Sequence, residues 1–197
     1  TLKWKEYVLS IKNLEKDLIE KIKNIVNIQI NAFLIFLRNY KKDYNNIICF
    51  LKEDKIILKD ISLNLSDIHN NTNGCIILKF QNKKLLYKPK NGNTDLFFSN
   101  YIQILDLKNP FKILIPDFLI TSNKYYWQKF IKRNRTNNIN NIRKFYRNFG
   151  SVLAVMDSLN YIDGHGENFI SNNSKLVPID LETISTNYSY FKEKDIN

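Results

Sequence analysis

The sequence predicts an α+β chain of two lobes, and three observations support this class. Apolar residues recur at three- and four-residue steps in the first forty positions, the period of an amphipathic helix. The middle of the chain changes to alternating and short apolar runs, which are typical of strands. A second long helical stripe follows an asparagine-rich segment. A length of 197 residues is enough for one domain or two closely packed lobes.

The first predicted elements are two helices. Their apolar residues are Trp4, Tyr7, Val8, Ile11, Leu14, Leu18, Ile22 and Ile25, and then Ile30, Phe33, Leu34 and Leu37. We expect the second helix to end at the polar stretch KKDYNN, residues 41–46. No apolar run is long enough to span a bilayer, because the longest covers only residues 32–37.

A three-stranded antiparallel meander is predicted next. Ile61, Leu63 and Leu65 alternate with polar residues, as in a half-buried strand. A polar loop, SDIHNNTNG, leads to the strand CIILKF, and the turn QNKK leads to the strand LLYKP, which Pro89 closes.

The remaining elements complete the two lobes. DLFFSNYIQIL is predicted as a helix, residues 111–120 as a loop and strand, and KYYWQKFI as a strand. We assign residues 1–131 to the N-terminal helices and N-lobe. Residues 132–197 form a connector, rich in asparagine, and part of a helical C-lobe. That lobe holds the helical stripe from Ile142 to Leu159, a polar loop and a β-hairpin.

Charge and cysteine content narrow the function classes. The net charge of +11 accompanies 29 asparagines and many lysines and isoleucines, so we attribute most of it to AT-rich coding. Aromatic and basic residues interleave in KYYWQKFIKRNR, which permits a nucleic-acid binder, but without an RNP-type motif we expect no nucleic-acid partner. Cys49 and Cys75 lie in apolar runs and suit buried thiols in a reducing, cytoplasmic compartment.

The segment that carries chemistry is Asp163-Gly-His165-Gly-Glu167-Asn168, followed by Ile179-Asp180-Leu181-Glu182. Asp163 and Asn168 are separated by the interval found in the protein-kinase catalytic loop, where a metal-binding Asp follows. Phosphoryl transfer needs a carboxylate that deprotonates a hydroxyl, and oxygen ligands for Mg²⁺. Loop capping is the alternative interpretation of these polar residues.

The N-terminal half contains the other parts of a kinase-like site in the same order. The loop at residues 66–74 joins the first two strands, and Lys88 lies on the third strand, where kinases place a phosphate-binding lysine. The predicted helix that follows contains no Glu, so the sequence names no carboxylate partner for Lys88.

These residues resemble the dehydratase domain of class II lanthipeptide synthetases, which has a lipid-kinase-like fold. The resemblance covers about Trp4 to Thr183 and is carried by four motifs: Ser66-Asp67-Ile68-His69, Tyr87-Lys88-Pro89-Lys90, Asp163-Gly-His165-Gly-Glu167-Asn168 and Ile179-Asp180-Leu181-Glu182-Thr183. The usual Y-K-P-R of this family is Y-K-P-K here, so a fork-shaped donor is replaced by a point charge.

The resemblance implies ATP-dependent phosphorylation of Ser and Thr in a precursor peptide, then phosphate elimination to dehydroalanine and dehydrobutyrine. It implies that Lys88 binds ATP phosphates and that Asp163 is the general base. His165 would belong to the catalytic loop, Asn168 and Asp180 would hold Mg²⁺, and Asp67 and His69 would serve elimination. The substrate would be a precursor peptide with a leader and a core.

Two alternatives remain from the residues: a phosphotransferase without elimination, and a degenerate kinase-fold fragment that binds a peptide. The chain begins at Thr1 without Met, and we expect it to be a piece of a longer protein. The resemblance then implies further elimination residues and a zinc-bearing cyclase domain beyond Asn197.

Overall fold

The computed structural model describes residues 2–63, 74–106 and 113–184. Within these ranges the chain forms two compact units. The strands at residues 58–62, 76–80, 84–88, 126–129 and 118–120 lie side by side in that order in one five-stranded sheet. The first unit comprises residues 1–83 and 87–89, and the second comprises residues 84–86 and 90–197. The α+β class is therefore confirmed. The predicted lobe boundary at residues 131 and 132 falls inside the second unit, and the lobe division stays a prediction.

One long helix dominates the first unit. Helix α1 spans Leu2–Leu51, so the break predicted at KKDYNN is wrong. The reason is Asp43 within that stretch, which is only 1% exposed and therefore belongs to the packed face of the helix. The helix ends at Leu51, and the left-handed backbone of the next residue, Lys52 (φ 54°), turns the chain out of the helix.

The C-terminal half of α1 packs against strands, whereas much of its N-terminal stripe is exposed. Strands β1 (Leu58–Ser62) and β2 (Ile76–Phe80) pair antiparallel. The ring of Phe36 meets the ring of Tyr87 edge-on at 5.2 Å, and the Asn39 amide donates to the Tyr87 hydroxyl at 2.9 Å. Leu14 and Leu18 are exposed, so the described residues do not cover the first part of the apolar stripe.

The predicted meander is confirmed, with one difference in its first strand. Strand β3 spans Lys84–Lys88 and follows β2 in both sequence and sheet order. The predicted alternation at Ile61, Leu63 and Leu65 is only partly correct, because β1 ends at Ser62 and residues 64–73 lie outside the described ranges.

Both cysteines are less buried than the sequence predicted. Cys49 is exposed on α1, and Cys75, just before β2, is half-buried. The prediction of two buried thiols is therefore wrong. Within the described ranges, no helix combines the length and the apolar character needed to cross a membrane.

The second unit is built around two helices and a hairpin. Helix α2 spans Asn93–Asp106 and helix α3 spans Ile139–Ser158, which confirms both predicted helices. Strands β4 (Phe118–Ile120) and β5 (Tyr126–Lys129) pair antiparallel, and so do β6 (Phe169–Asn172) and β7 (Lys175–Pro178). The members of the core are Phe98, Ile102, Ile113, Val152, Val155, Met156, Leu159, Leu176, Leu181 and Ile184.

The asparagine-rich connector is hydrogen-bonded in the second unit. The Asn134 N–H donates to the Ser171 carbonyl in β6 at 2.9 Å, and the Asn134 carbonyl accepts from the Asn173 N–H in the following turn at 3.1 Å. The side chain of Asn138 caps α3 by accepting from the backbone N–H of Asn140 at 2.9 Å. Several of these asparagines therefore have local structural roles.

Candidate phosphotransfer site

The end of α3 delivers the chain into the polar loop. Asn160 adopts a left-handed conformation (φ 50°), which Asn tolerates better than most residues, and the helix stops there. The loop then runs from Tyr161 to a single 3₁₀ turn at Gly166–Asn168 and continues directly into β6. Asp163 and Asn168 are therefore positioned by a rigid helix on one side and a strand on the other.

A hydrogen-bonded cluster links Asp163 and Asn168. The Asn168 amide nitrogen donates to Asp163 Oδ2 at 2.8 Å and to the Asp163 carbonyl at 2.9 Å. Asn168 is buried, whereas the Asp163 side chain is 47% exposed. The buried amide thus fixes a carboxylate that remains accessible from solvent.

His165 lies against the same carboxylate. Its Nδ1 accepts from the Glu167 backbone N–H at 3.3 Å, and the Asn168 amide nitrogen lies 3.2 Å from its Nε2. The Nε2 atom is 3.4 Å from Asp163 Oδ1. The two oxygens of Asp163 therefore face an amide and an imidazole.

The β6–β7 hairpin brings Asp180 to this cluster from twelve residues away. Phe169 pairs with Pro178 across the hairpin, and the Ile179 N–H donates to the Asn168 carbonyl at 3.0 Å. Asn173 (φ 51°) makes the tight turn. Because Asp180 directly follows Ile179, it emerges beside Asn168.

Two more hydrogen bonds tie the Asp180 segment to the loop. The Tyr161 hydroxyl donates to the Asp180 carbonyl at 2.7 Å, and the Asp163 N–H donates to Thr183 Oγ1 at 3.2 Å. Leu181, between the polar residues of this segment, is 2% exposed and anchors it in the core. Burying a leucine contributes about 1.5–3 kcal/mol, which holds the neighbouring carboxylates in place.

Sequence reasoning missed Tyr161, although its position just before the motif could have drawn attention to it. Burial is the main cause that raises the pKa of its hydroxyl to about 12. A hydrogen bond with Asn168 lowers this pKa, and the charges of Asp163 and Asp180 raise it. The hydroxyl therefore stays a donor throughout the physiological range.

Lys90 was noted in the sequence only as a substitution in the Y-K-P-R motif, and the structure places it on Asp180. Its ammonium lies 3.0 Å from Asp180 Oδ1 and 2.5 Å from Glu182 Oε1. Burial lowers the pKa of Lys90, but the two carboxylates outweigh burial, so its pKa is raised above its ordinary value. Lys90 is therefore a permanent cation in this cluster.

The donor set around Asn168 and Asp180 fits magnesium. An amide oxygen and a carboxylate are hard oxygen ligands, which Mg²⁺ prefers, and Mg²⁺ usually takes one or two carboxylates plus water and phosphate oxygens. Among the described residues there is no group of three or more His, Cys, Asp and Glu side chains suited to a metal ion. A magnesium ion here would therefore depend on nucleotide phosphates and water for its remaining ligands.

The other predicted site residues lie elsewhere or outside the described ranges. Lys88, at the end of β3, belongs to the first unit and is buried at 5% exposure. Asp67 and His69 fall in residues 64–73, which the structure does not describe.

The chain is an α+β protein in which this loop and hairpin join Asp163, Asn168 and the Asp180 segment. The chain belongs to the family described as Domain of unknown function (DUF4135), which it matches over residues 17–197. It is 29% identical over 175 residues to the Lacticin 481/lactococcin biosynthesis protein LcnDR2 of Lactococcus lactis subsp. lactis. That alignment covers 83% of this chain and 18% of the relative, so the chain spans under a fifth of that protein. These matches confirm the resemblance to the dehydratase domain of lanthipeptide synthetases.

Two solved structures show a more distant likeness. The aminoglycoside phosphotransferase APH(2'')-Ib with ADP aligns at 12% identity and a TM-score of 0.32, covering 71% of this chain and 69% of that one. The ternary complex of streptomycin, ATP and APH(2")-IIa aligns at 11% identity and a TM-score of 0.31, covering 70% of each chain.

Proposed function

We propose that this chain contributes to lanthipeptide biosynthesis by ATP-dependent phosphorylation of Ser and Thr hydroxyls in a precursor peptide. The phosphorylated residues would then be dehydrated to dehydroalanine and dehydrobutyrine. Family membership and the relative named for lacticin 481 biosynthesis support the proposal. The main structural support for the proposal is that hydrogen bonds link Asp163, Asn168 and the Asp180 segment.

Asp163 is the proposed general base. Its side chain is 47% exposed, so a substrate hydroxyl can reach it. The Asn168 amide holds Oδ2 and the imidazole of His165 faces Oδ1, so the carboxylate has a fixed orientation when it accepts the hydroxyl proton. A positioned base of this kind contributes about 10²–10⁴-fold to a rate.

Asn168 and Asp180 are the proposed ligands of Mg²⁺. The Asn168 nitrogen is directed at Asp163, which leaves the amide oxygen as the group that a cation would use. Bound with ATP, magnesium would neutralise charge on the phosphates. The residues of the chain hold its place and orient the nucleotide toward Asp163.

Three further assignments complete the proposal. Lys88 would bind ATP phosphates, and its low exposure is consistent with a lysine held in one orientation. Asp67 and His69 would assist elimination. The precursor peptide would supply the hydroxyls, and the cytoplasm, where ATP is abundant, is the proposed compartment.

Calorimetry of ATP binding, with and without Mg²⁺, tests the metal assignment. We expect Mg²⁺ to strengthen ATP binding by the wild-type chain and to have little effect on the Asp180→Ala variant, because that variant loses a metal ligand. An equal dependence on Mg²⁺ in both proteins would show that Asp180 does not hold the ion.

Mass spectrometry separates the proposal from its runner-up, a phosphotransferase without elimination. A precursor peptide incubated with ATP gains mass when it is phosphorylated and loses water when it is dehydrated. We expect this chain alone to accumulate phosphopeptide, since the resemblance places other elimination residues in a longer protein. Efficient dehydration by this chain alone would show that the elimination groups have been misplaced.

A further inference from the structure

Lys90 holds together two carboxylates that are far from it in sequence. It follows β3 and Pro89, and it reaches Asp180 and Glu182 across 90 and 92 residues. Its side chain is 24% exposed, whereas the Asp180 and Glu182 side chains are 43% and 55% exposed. The ammonium is therefore the most enclosed member of this ion-pair cluster.

Lys90 contacts a carboxylate oxygen of Asp180 that a bound metal ion would also use. Lys90 lies 3.0 Å from Asp180 Oδ1, at hydrogen-bonding distance. A divalent cation on the same carboxylate would repel the ammonium, because like charges a few ångströms apart in a partly buried site interact strongly. Lys90 and the metal ion therefore compete for Asp180.

Glu182 provides a second place for the ammonium. Its Oε1 lies 2.5 Å from the Lys90 nitrogen, closer than Asp180 does, and it comes from the same turn of the chain. When a metal ion takes Asp180, the ammonium can keep its bond to Glu182. A long, flexible lysine side chain permits this small movement.

We propose that Lys90 is an exchangeable counter-cation: it holds the Asp180 carboxylate in the absence of metal and withdraws to Glu182 when a divalent cation binds. This inference rests on the proposed function, since it requires that Asp180 is a metal ligand. Lys90 is a positioning residue in this role, acting through Asp180. Glu182 is the residue that makes the exchange possible.

The inference predicts opposite effects of two substitutions on metal affinity. Lys90→Met removes the competitor and should tighten metal binding. Glu182→Gln leaves the ammonium with Asp180 alone and should weaken it. Partly exposed ion pairs of this kind have modest strength, so we expect changes of about two- to fivefold in each direction.

The experiment measures binding of the Mn²⁺–ADP complex to the 197-residue chain by the change in its electron paramagnetic resonance signal. A double-mutant cycle isolates the role of Glu182, because Glu182→Gln should have a smaller effect in the Lys90→Met background. Lys90→Arg should bring the affinity back toward the wild-type value. Lys79→Met is the matched control, since it removes the same charge and breaks the exposed 2.6 Å ion pair of Lys79 with Asp60. The Mn²⁺ affinity of this control variant should stay unchanged.

Asp180→Asn distinguishes failure of the inference from failure of the proposed function. If Asp180→Asn binds Mn²⁺ like the wild type, the metal assignment is wrong and the inference is overturned with it. If Asp180→Asn weakens binding but Lys90→Met does not tighten it, only the counter-cation role is overturned. Circular dichroism checks that each variant is folded, and Lys90→Gln replaces Lys90→Met if the latter is unfolded, with the same tightening expected.

Discussion

Removing one oxygen from Tyr161 should loosen the candidate site while leaving the fold intact. In the Tyr161→Phe variant the ring can still meet Phe169 edge-on at 6.3 Å, so the packing is retained. What disappears is the hydrogen bond with Asn168 and the 2.7 Å bond from the hydroxyl to the Asp180 carbonyl. The bond to Asp180 is one of the links that hold the proposed metal ligand against the catalytic loop.

The expected losses of stability and rate follow from the strength of this hydrogen bond and from the exposure of Asp180. A hydrogen bond contributes about 0.5–1.5 kcal/mol net, and Asp180 is only half-buried, so water can replace part of the loss. We expect a decrease of about 1 kcal/mol in the free energy of unfolding. Misplacing a reacting group by 1 Å costs about 10²-fold in rate, and this loosening is smaller, so we expect about a tenfold loss of phosphoryl transfer.

The stability difference should also have a defined pH range. The pKa of Tyr161 is about 12 in the folded chain, against about 10 when the chain is unfolded. Because folding raises this pKa, its contribution is fully present below pH 10 and is lost as the pH rises toward 12. The difference in free energy of unfolding between wild type and Tyr161→Phe should therefore be constant between pH 6 and pH 9, because both values lie below pH 10, where the loss begins.

Urea denaturation measures the stability, and Mn²⁺ titration reports on the metal ligand. Tyr44→Phe is the matched control, since the Tyr44 hydroxyl also donates to a carbonyl, that of Ile56 at 3.4 Å, in the first unit. The control should lose less stability and keep its metal affinity. Equal Mn²⁺ affinity in Tyr161→Phe and wild type would refute the argument that this hydroxyl positions Asp180.

Three further substitutions test other parts of the structure. Asp163→Asn should keep nucleotide affinity within about twofold but lower phosphoryl transfer by about 10²–10⁴-fold, whereas Lys88→Ala should weaken both. Calorimetry measures the affinity and radiolabel transfer measures the rate. If Asp163→Asn lost ATP affinity but kept its rate, the roles of Asp163 and Lys88 would be reversed. The Leu176 N–H donates to Asn148 Oδ1 at 2.7 Å, and Asn148→Leu would leave this N–H buried without that acceptor. We expect the free energy of unfolding in urea to fall by about 1–3 kcal/mol. An unchanged urea midpoint would contradict this.

Periodicity predicted the regular elements well where packing and local pattern agree. The short apolar runs of β2 and β3 face packed surfaces, so their spacing reports the structure directly. The α3 stripe is only partly packed, because Val152 and Met156 are buried whereas Tyr146, Phe149 and Leu153 are exposed. The pattern failed at KKDYNN, because the sequence alone does not show that Asp43 is buried and that the helix continues through this polar stretch. Local polarity predicts a break, and tertiary packing overrides it.

The candidate site was predictable to the extent that it is local. Asp163 and Asn168 are five residues apart, and a hairpin of ordinary length joins Asn168 to Asp180, so spacing was enough to group them. The ion pairs of Lys90 could not be foreseen from spacing, because they join residues 90 or more positions apart. The roles of all these residues stay predictions until they are tested.

The charges around the candidate site are consistent with the metal ion that we propose there. The loop and the following turn carry four carboxylates within twenty residues, those of Asp163, Glu167, Asp180 and Glu182. Lys90 neutralises part of this charge by contacting two of them. Nucleotide phosphates would be repelled by the remaining negative charge unless a divalent cation came with them. The net charge of +11 therefore does not describe the candidate loop, where the local balance is acidic, and we expect this site to bind a metal–nucleotide complex in preference to free nucleotide.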